Sequence, residues 1–180
     1  MRLIAHPATP GPDITLTVAV TRDADLHLTY ELRGELAAIA LPPLAAPAFA
    51  DELWRHTCFE AFIGRDGDAA YYEYNFSPSG RWAVYAFSAY RQRREVDAAA
   101  LAPTVDWQHG GDRLSLRATV RLAPLGLADA TLRIGVSAVI ETRDGALSYW
   151  ALHHPAGRPD FHHADARTLV LPWRLGGPDR

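Results

Sequence analysis

The chain has 180 residues, a length that suits one globular domain with a core of its own. Its net charge of −3 offers no general attraction to nucleic acid, and its single cysteine cannot form an intramolecular disulfide. The opening segment, MRLIAHPATPGPD, reaches its prolines before any apolar run long enough for a signal peptide or a membrane span. We therefore expect a cytoplasmic protein with no membrane and no nucleic-acid partner. All eighteen basic residues are arginine, which together with abundant alanine favours a bacterial source.

The N-terminal part alternates apolar and polar residues with the period of two that is typical of half-buried strands. This alternation predicts strands over residues 14–21 and 26–32, with Gly34 ending the second. A third strand is predicted over residues 36–41, where Pro42 and Pro43 would break it. Residues 41–53 are rich in proline and alanine and have no period, so they predict a loop that leads to Trp54.

Residues 54–90 hold two of the five tryptophans, five of the seven tyrosines and the only cysteine. Strands are predicted there over residues 58–63, 71–77 and 81–90. Side chains alternate between the two faces of a strand, so in the first strand Glu60 lies on the less apolar of the two faces. Residues 78–80, Pro-Ser-Gly, predict a hairpin connection. Its register would put five residues on one face: Glu73, Asn75, Ser77, Arg81 and Tyr85.

The rest of the chain continues the strand pattern. Residues 91–95, Arg-Gln-Arg-Arg-Glu, are interpreted as a solvated edge or loop and not as a nucleic-acid patch. Further strands are predicted over residues 104–108, 114–122, 132–140, 147–152 and 168–173, with a long loop over 153–167. About ten short strands separated by turns predict an all-β fold, an antiparallel β-sandwich with jelly-roll-like connections, in one domain over residues 1–180.

The aromatic and polar residues of the central strands indicate a ligand site more than a simple core. Flat apolar faces with a few charged or amide groups are what a sugar-sized ligand needs for stacking and for orientation. The sequence therefore predicts a binding module and not an enzyme.

Three segments carry the most distinctive groupings of these residues: LWRHTCFEAFIG, YYEYNFSPSGRW and SYWALHHPAGRPDFHH. Together they resemble bacterial DOMON-like domains related to family 9 carbohydrate-binding modules, and the likeness spans most of the chain. The resemblance implies a β-sandwich that holds a sugar in a shallow site on one sheet, between two aromatic side chains.

Carried over by motif, the resemblance assigns each site residue a role. Trp54 would be one aromatic plate, Glu60 and Arg81 the charged contacts, and Asn75 or Glu73 a polar contact from a strand. The second plate would come from the late loop, where relatives place a tryptophan and this chain has Phe161, followed by His162 as a further ligand-binding candidate.

Structural roles are the alternatives for these residues. Trp54 could belong to the core, as tryptophans at strand starts often do. Glu60 and Arg81 could form an ion pair that braces two strands, because a buried carboxylate needs a partner or a wet cleft. Glu60 and Glu73 could instead be the acid and base of a glycosidase.

Metal and cofactor sites are less well supported by the sequence. His153, His154, His162 and His163 form two adjacent pairs, which do not match the spacing of common zinc motifs, although Asp160 and Asp165 could add ligands. A haem would need axial ligands that the central stretch does not offer beyond His56. We expect no metal and no cofactor.

The sequence thus predicts a non-catalytic module for a small sugar or glycan fragment, and leaves two alternatives: a glycan-active enzyme using Glu60 and Glu73, and a protein-interaction domain whose pocket is filled by its own side chains. It leaves the oligomeric state open.

Overall fold

The computed structural model of the protein describes residues 1–173, so the last seven residues of the predicted domain lie outside the described part. Within it the chain forms twelve strands: β1 (Arg2–Ala5), β2 (Ile14–Arg22), β3 (Asp25–Gly34), β4 (Cys58–Arg65), β5 (Tyr71–Phe76), β6 (Trp82–Ala89), β7 (Gln92–Arg94), β8 (Thr104–Gly110), β9 (Arg113–Arg121), β10 (Leu132–Glu141), β11 (Leu147–Ala151) and β12 (Leu169–Leu171). Short 3-10 helices lie at Leu36–Ala38, Leu53–Arg55, Ala123–Leu125 and Ala164–Ala166.

The named strands pair antiparallel, in the order β7-β6-β5-β4-β10-β11-β1-β2-β3-β9-β8, with β12 added beside β10. Strand β1 pairs with β2 on one side and with β11 on the other, so it joins two layers of strands. Tyr30 of β3 packs against Phe59 of β4 with ring centres 5.1 Å apart, and its hydroxyl donates to the backbone carbonyl of Glu60. The predicted all-β sandwich is therefore confirmed.

The core between the layers follows from the alternation in the sequence. In β3, Leu26, Leu28, Tyr30 and Leu32 are all buried, and their neighbours in the chain are partly exposed. Strands β4, β5 and β6 differ, because nearly every residue in them is buried. One face of these three strands packs into the core. The side chains of the opposite face form a second, smaller cluster that is mostly aromatic. That opposite face carries the candidate site.

Two details depart from the sequence expectations. The predicted strand over residues 36–41 is wrong: the chain makes a 3-10 turn at Leu36–Ala38, and only Ile39 forms an isolated bridge, to Thr142. Strands β1 and β7 were not predicted, since β1 spans four residues and β7 is an exposed edge of three. Gly34 ends β3 as expected, with a φ of +122° and the carbonyl of Asp13 only 2.6 Å from where a Cβ would stand.

No helix among the described residues is long and apolar enough to cross a lipid bilayer.

Candidate ligand-binding site

An open cavity of about 420 Å³ lies on the outer face of β4, β5 and β6. This volume is within the range that small-molecule sites usually have, about 300–1,000 Å³. Its walls are completed by strands β10 and β11, by the loop before β4, by the turn between β6 and β7, and by the late loop. The lining residues are Asp51, Glu52, Trp54, Glu60, Phe62, Glu73, Tyr85, Phe87, Arg91, Arg93, Val139, Tyr149, Phe161 and His162.

Strand register explains how residues distant in sequence share this floor. Glu60 of β4 stands opposite Asn75 of β5, and Glu73 of β5 stands opposite Tyr85 of β6. Because side chains alternate along each strand, these residues all point away from the sandwich core. The predicted pairing of Glu73 with Tyr85 is thereby confirmed.

Trp54 is not a core residue. It lies in the 3-10 helix Leu53–Arg55, its side chain is 44% exposed, and it borders the cavity. The guanidinium of Arg55 lies 5.3 Å from its ring centre. An indole left this open beside a cavity is available for stacking.

Phe161 borders the same cavity from the late loop. Its ring lies near those of Phe62, at 6.5 Å, and Tyr149, at 6.0 Å between ring centres. The structure therefore brings together the two aromatic residues that the family resemblance assigned as plates, Trp54 and Phe161, as lining residues of one cavity.

The late loop is held in place by polar contacts. Asp160 accepts hydrogen bonds from the Tyr90 hydroxyl, at 2.6 Å, and from the Arg91 guanidinium, at 2.9 Å. The Tyr71 hydroxyl lies 2.9 Å from Nδ1 of His162. These contacts fix the segment that carries Phe161 and His162 against β5 and the β6–β7 turn.

Glu60 is a buried carboxyl group without a basic partner. Its Oε2 accepts a hydrogen bond of 3.1 Å from the Ser137 hydroxyl, and it forms no ion pair with an arginine within residues 1–173. Burial, and next the neighbouring Glu73, hold the pKa of Glu60 well above its usual value. The alternative role of Glu60, an ion pair with Arg81 that braces two strands, is therefore wrong.

Glu73 lies beside Glu60 and is held by an amide. Asn75 is fully buried, and its Nδ2 donates to Oε1 of Glu73 at 2.7 Å. Burial raises the pKa of Glu73, which this hydrogen bond and the charges of Arg91 and Arg93 lower in part. Asn75 thus orients Glu73 through this hydrogen bond and does not itself line the cavity.

His162 stands next to Glu73 as a neutral group. Its Nε2 is 3.5 Å from Oε2 of Glu73, a distance at which an ion pair could form. Burial, and next the charge of Arg91, lower the pKa of His162 to about 4, however. At neutral pH the contact therefore joins a neutral imidazole and a carboxyl group, because desolvation of the imidazole outweighs its proximity to the acid.

Arg81 lies outside the cavity, contrary to its assigned role. The loop at 41–53 covers the end of the hairpin beside it: Ala45 N–H donates to the Ser79 carbonyl at 2.9 Å, and Ala50 N–H donates to the Trp82 carbonyl at 2.9 Å. The cavity begins further along β5 and β6. The basic residues that line it are Arg91 and Arg93. Residues 91–95 are exposed, as predicted for a solvated edge, and these two side chains also border the cavity.

Sequence reasoning also missed Asp51, Tyr85 and Tyr149 as lining residues. Tyr85 donates a short hydrogen bond to Asp51, and the Arg93 guanidinium lies 4.2 Å from the Tyr85 ring centre. The alternation of β6 already placed Tyr85 on the face of Glu73, so that signal was present in the sequence. Asp51 could not be placed, because it lies in a loop without a period.

The late-loop histidines do not gather around a common point. His154 Nε2 lies 2.8 Å from the Ile4 carbonyl oxygen, and the His163 side chain accepts from Asp165 N–H. Among residues 1–173 no three histidine, cysteine or acidic side chains are grouped as metal ligands would be.

Comparisons with known proteins show the fold. No family model matches the sequence, and no curated protein matches it. Solved structures do match. A proposed carbohydrate-binding protein from Bacteroides uniformis is 16% identical, with a TM-score of 0.60 over 86% of this chain and 75% of that one. A family 9 carbohydrate-binding module from Caldicellulosiruptor kristjanssonii, in complex with glucose, is 10% identical, with a TM-score of 0.55 over 82% and 71% of the two chains. This chain therefore shares its β-sandwich fold with carbohydrate-binding proteins.

Proposed function

We propose that the protein is a non-catalytic module of the DOMON-like type that binds a small sugar or glycan fragment in the cavity on β4, β5 and β6. The observation that carries this is the joint lining of one open cavity by the exposed indole of Trp54, by Phe161 and by the two carboxyl groups of Glu60 and Glu73. Apolar ring faces bind the C–H face of a sugar, and carboxyl oxygens accept from its hydroxyls.

The polar groups of the cavity can bond sugar hydroxyls at its floor and at its rim. Glu60 and Glu73 lie on adjacent strands at the floor, and Arg91 and Arg93 lie near the mouth. A guanidinium has five donors in a fixed plane, so it can bond a hydroxyl with the donors that its own partners leave free. The fold neighbours support the proposal, because one of them holds glucose.

Binding to glycans tests this proposal. The protein should bind at least one saccharide on a glycan array, with a dissociation constant between about micromolar and millimolar, because only a few contacts are available. Calorimetric titration then measures the affinity of each hit. If no saccharide binds at millimolar concentration, the proposal is wrong.

A second candidate is a glycan hydrolase using Glu60 and Glu73, favoured by their presence in one cavity. Against it, both groups project from neighbouring strands of the same floor, and burial raises the pKa of both. Glycosidases place an acid and an ionised carboxylate on opposite sides of the scissile bond. Incubation of the array hits with the protein, followed by chromatography for shorter products, distinguishes the two, and we expect no cleavage.

The third alternative was an interaction domain with a pocket filled by its own side chains. The cavity is instead open, with an exposed indole at its edge. We further propose that the protein acts in the bacterial cytoplasm, so its ligand would be an intracellular saccharide; cell fractionation tests this.

A further inference from the structure

The floor of the cavity holds two buried carboxyl groups, and within residues 1–173 neither of them forms an ion pair with an arginine. Glu60 is 3% exposed, and its Oε1 has no hydrogen-bond partner among the residues described. Glu73 is 5% exposed, and its partners are an amide, from Asn75, and the neutral imidazole of His162. Burying a carboxylate without a cationic partner is costly, so the pair is poised to accept a positive charge.

The two arginines of the cavity are committed elsewhere. Arg91 donates to Asp160 at 2.9 Å and to the Tyr90 hydroxyl at 3.2 Å. The guanidinium of Arg93 lies over the ring of Tyr85, at 4.2 Å from its centre. In the part of the chain that the structure covers, neither bonds to Glu60 or to Glu73. Of the two remaining acidic residues of the lining, Glu52 is paired with Arg55 at 2.7 Å, whereas Asp51 accepts a hydrogen bond from Tyr85 and adds negative charge to the cavity.

Aromatic rings form much of the remaining wall. Six of the fourteen lining residues are aromatic: Trp54, Phe62, Tyr85, Phe87, Tyr149 and Phe161. The face of an aromatic ring attracts a cation electrostatically, most strongly where water is excluded. A ligand with both a stacking surface and a positive charge therefore uses the walls and the floor together.

We infer that the preferred ligand is an amino sugar, whose protonated amine lies against Glu60 and Glu73 while its ring stacks between the aromatic walls. This inference rests on the proposed function, because it specifies the chemical class of sugar that the same cavity binds. A neutral sugar offers the two carboxyl groups only hydroxyls, whereas an ammonium group supplies three donors and a positive charge that stabilises their ionised form.

Calorimetric titration of the protein with three probes tests the inference. Glucosamine carries the charge, glucose has the same ring without it, and N-acetylglucosamine keeps the nitrogen in a neutral amide. At pH 6.5, where an amine with a pKa of about 8 is protonated, glucosamine should bind about tenfold or more tightly than glucose. N-acetylglucosamine should bind no more tightly than glucose.

Variants localise the effect. Glu73→Gln keeps the shape and removes the charge, so it should abolish the preference for glucosamine over glucose; a cooperative thermal denaturation shows that the variant is folded. Glu60→Gln should act in the same direction. Glu95→Gln, outside the cavity, is the charge-matched control and should leave the preference intact.

The outcomes separate the two proposals. If glucose and glucosamine bind with equal affinity, or if Glu73→Gln and Glu60→Gln leave the preference for glucosamine intact, the amino-sugar inference is overturned and the sugar-binding function stands. If none of the probes and no saccharide on the array binds, the proposed function fails, and the inference fails with it.

Discussion

Replacing Trp54 by alanine should weaken sugar binding about tenfold without unfolding the protein. The side chain is 44% exposed, so it contributes little to the core. If a tryptophan side chain has about 250 Å² to bury, its free part is about 110 Å². A stacked sugar covers one of its two faces, which is about 55 Å², and at about 25 cal/mol per Å² this corresponds to about 1.4 kcal/mol.

The assay is calorimetric titration of the variant with the best saccharide from the array, with thermal denaturation to check the fold. Trp54→Phe keeps an aromatic plate and should recover part of the affinity. Trp173→Ala is the matched control, because that tryptophan is 40% exposed and does not line the cavity. An affinity unchanged in Trp54→Ala, or lowered equally in Trp173→Ala, would refute the assignment of Trp54 as a stacking surface.

Three further predictions follow from the contacts of the site. Glu60→Gln should raise the free energy of unfolding at pH 7 and not at pH 4. The folded-state pKa of Glu60 is raised, so above the ordinary value of 4.5 the folded state holds more protons than the unfolded state. The free energy of unfolding of the unchanged protein therefore falls as pH rises through the raised pKa, by about 1.4 kcal/mol for each unit by which that pKa exceeds the ordinary one. Thermal denaturation at the two pH values measures this, and an equal difference at both would contradict it. Asp160→Asn removes the ion pair with Arg91 that holds the late loop. Calorimetry should therefore show an affinity about threefold to tenfold lower, and hydrogen exchange should be faster in residues 152–163. Unchanged exchange would contradict the role of this ion pair in fixing the loop as a wall of the cavity. Arg81→Ala should leave the affinity unchanged in the same titration, because Arg81 lies outside the cavity, and a large loss would restore its role as a direct contact.

Much of the fold could be predicted because the sequence pattern that indicates each long strand lies within that strand. In β2, β3, β9 and β10 apolar residues alternate over eight or more positions, and such alternation directly reflects one face packed against the core. The register of β5 and β6 followed from a three-residue hairpin loop, since a short loop leaves few pairings possible. Strands β1 and β7 could not be found in this way, because three or four residues are too few to show a period.

Some features of the candidate site could likewise be predicted from local sequence, and others could not. The sequence by itself determined that Glu60 and Glu73 point away from the core, because the alternation of β4 and β5 decides which face each side chain takes. It could not determine which loops cover that face. Only the tertiary structure placed the 41–53 loop over the hairpin end beside Arg81, turned Arg91 and Arg93 toward the cavity and set Phe161 against Tyr149. The physical reason is that loop positions depend on contacts between residues far apart in sequence, such as that of Arg91 with Asp160, which no local period records.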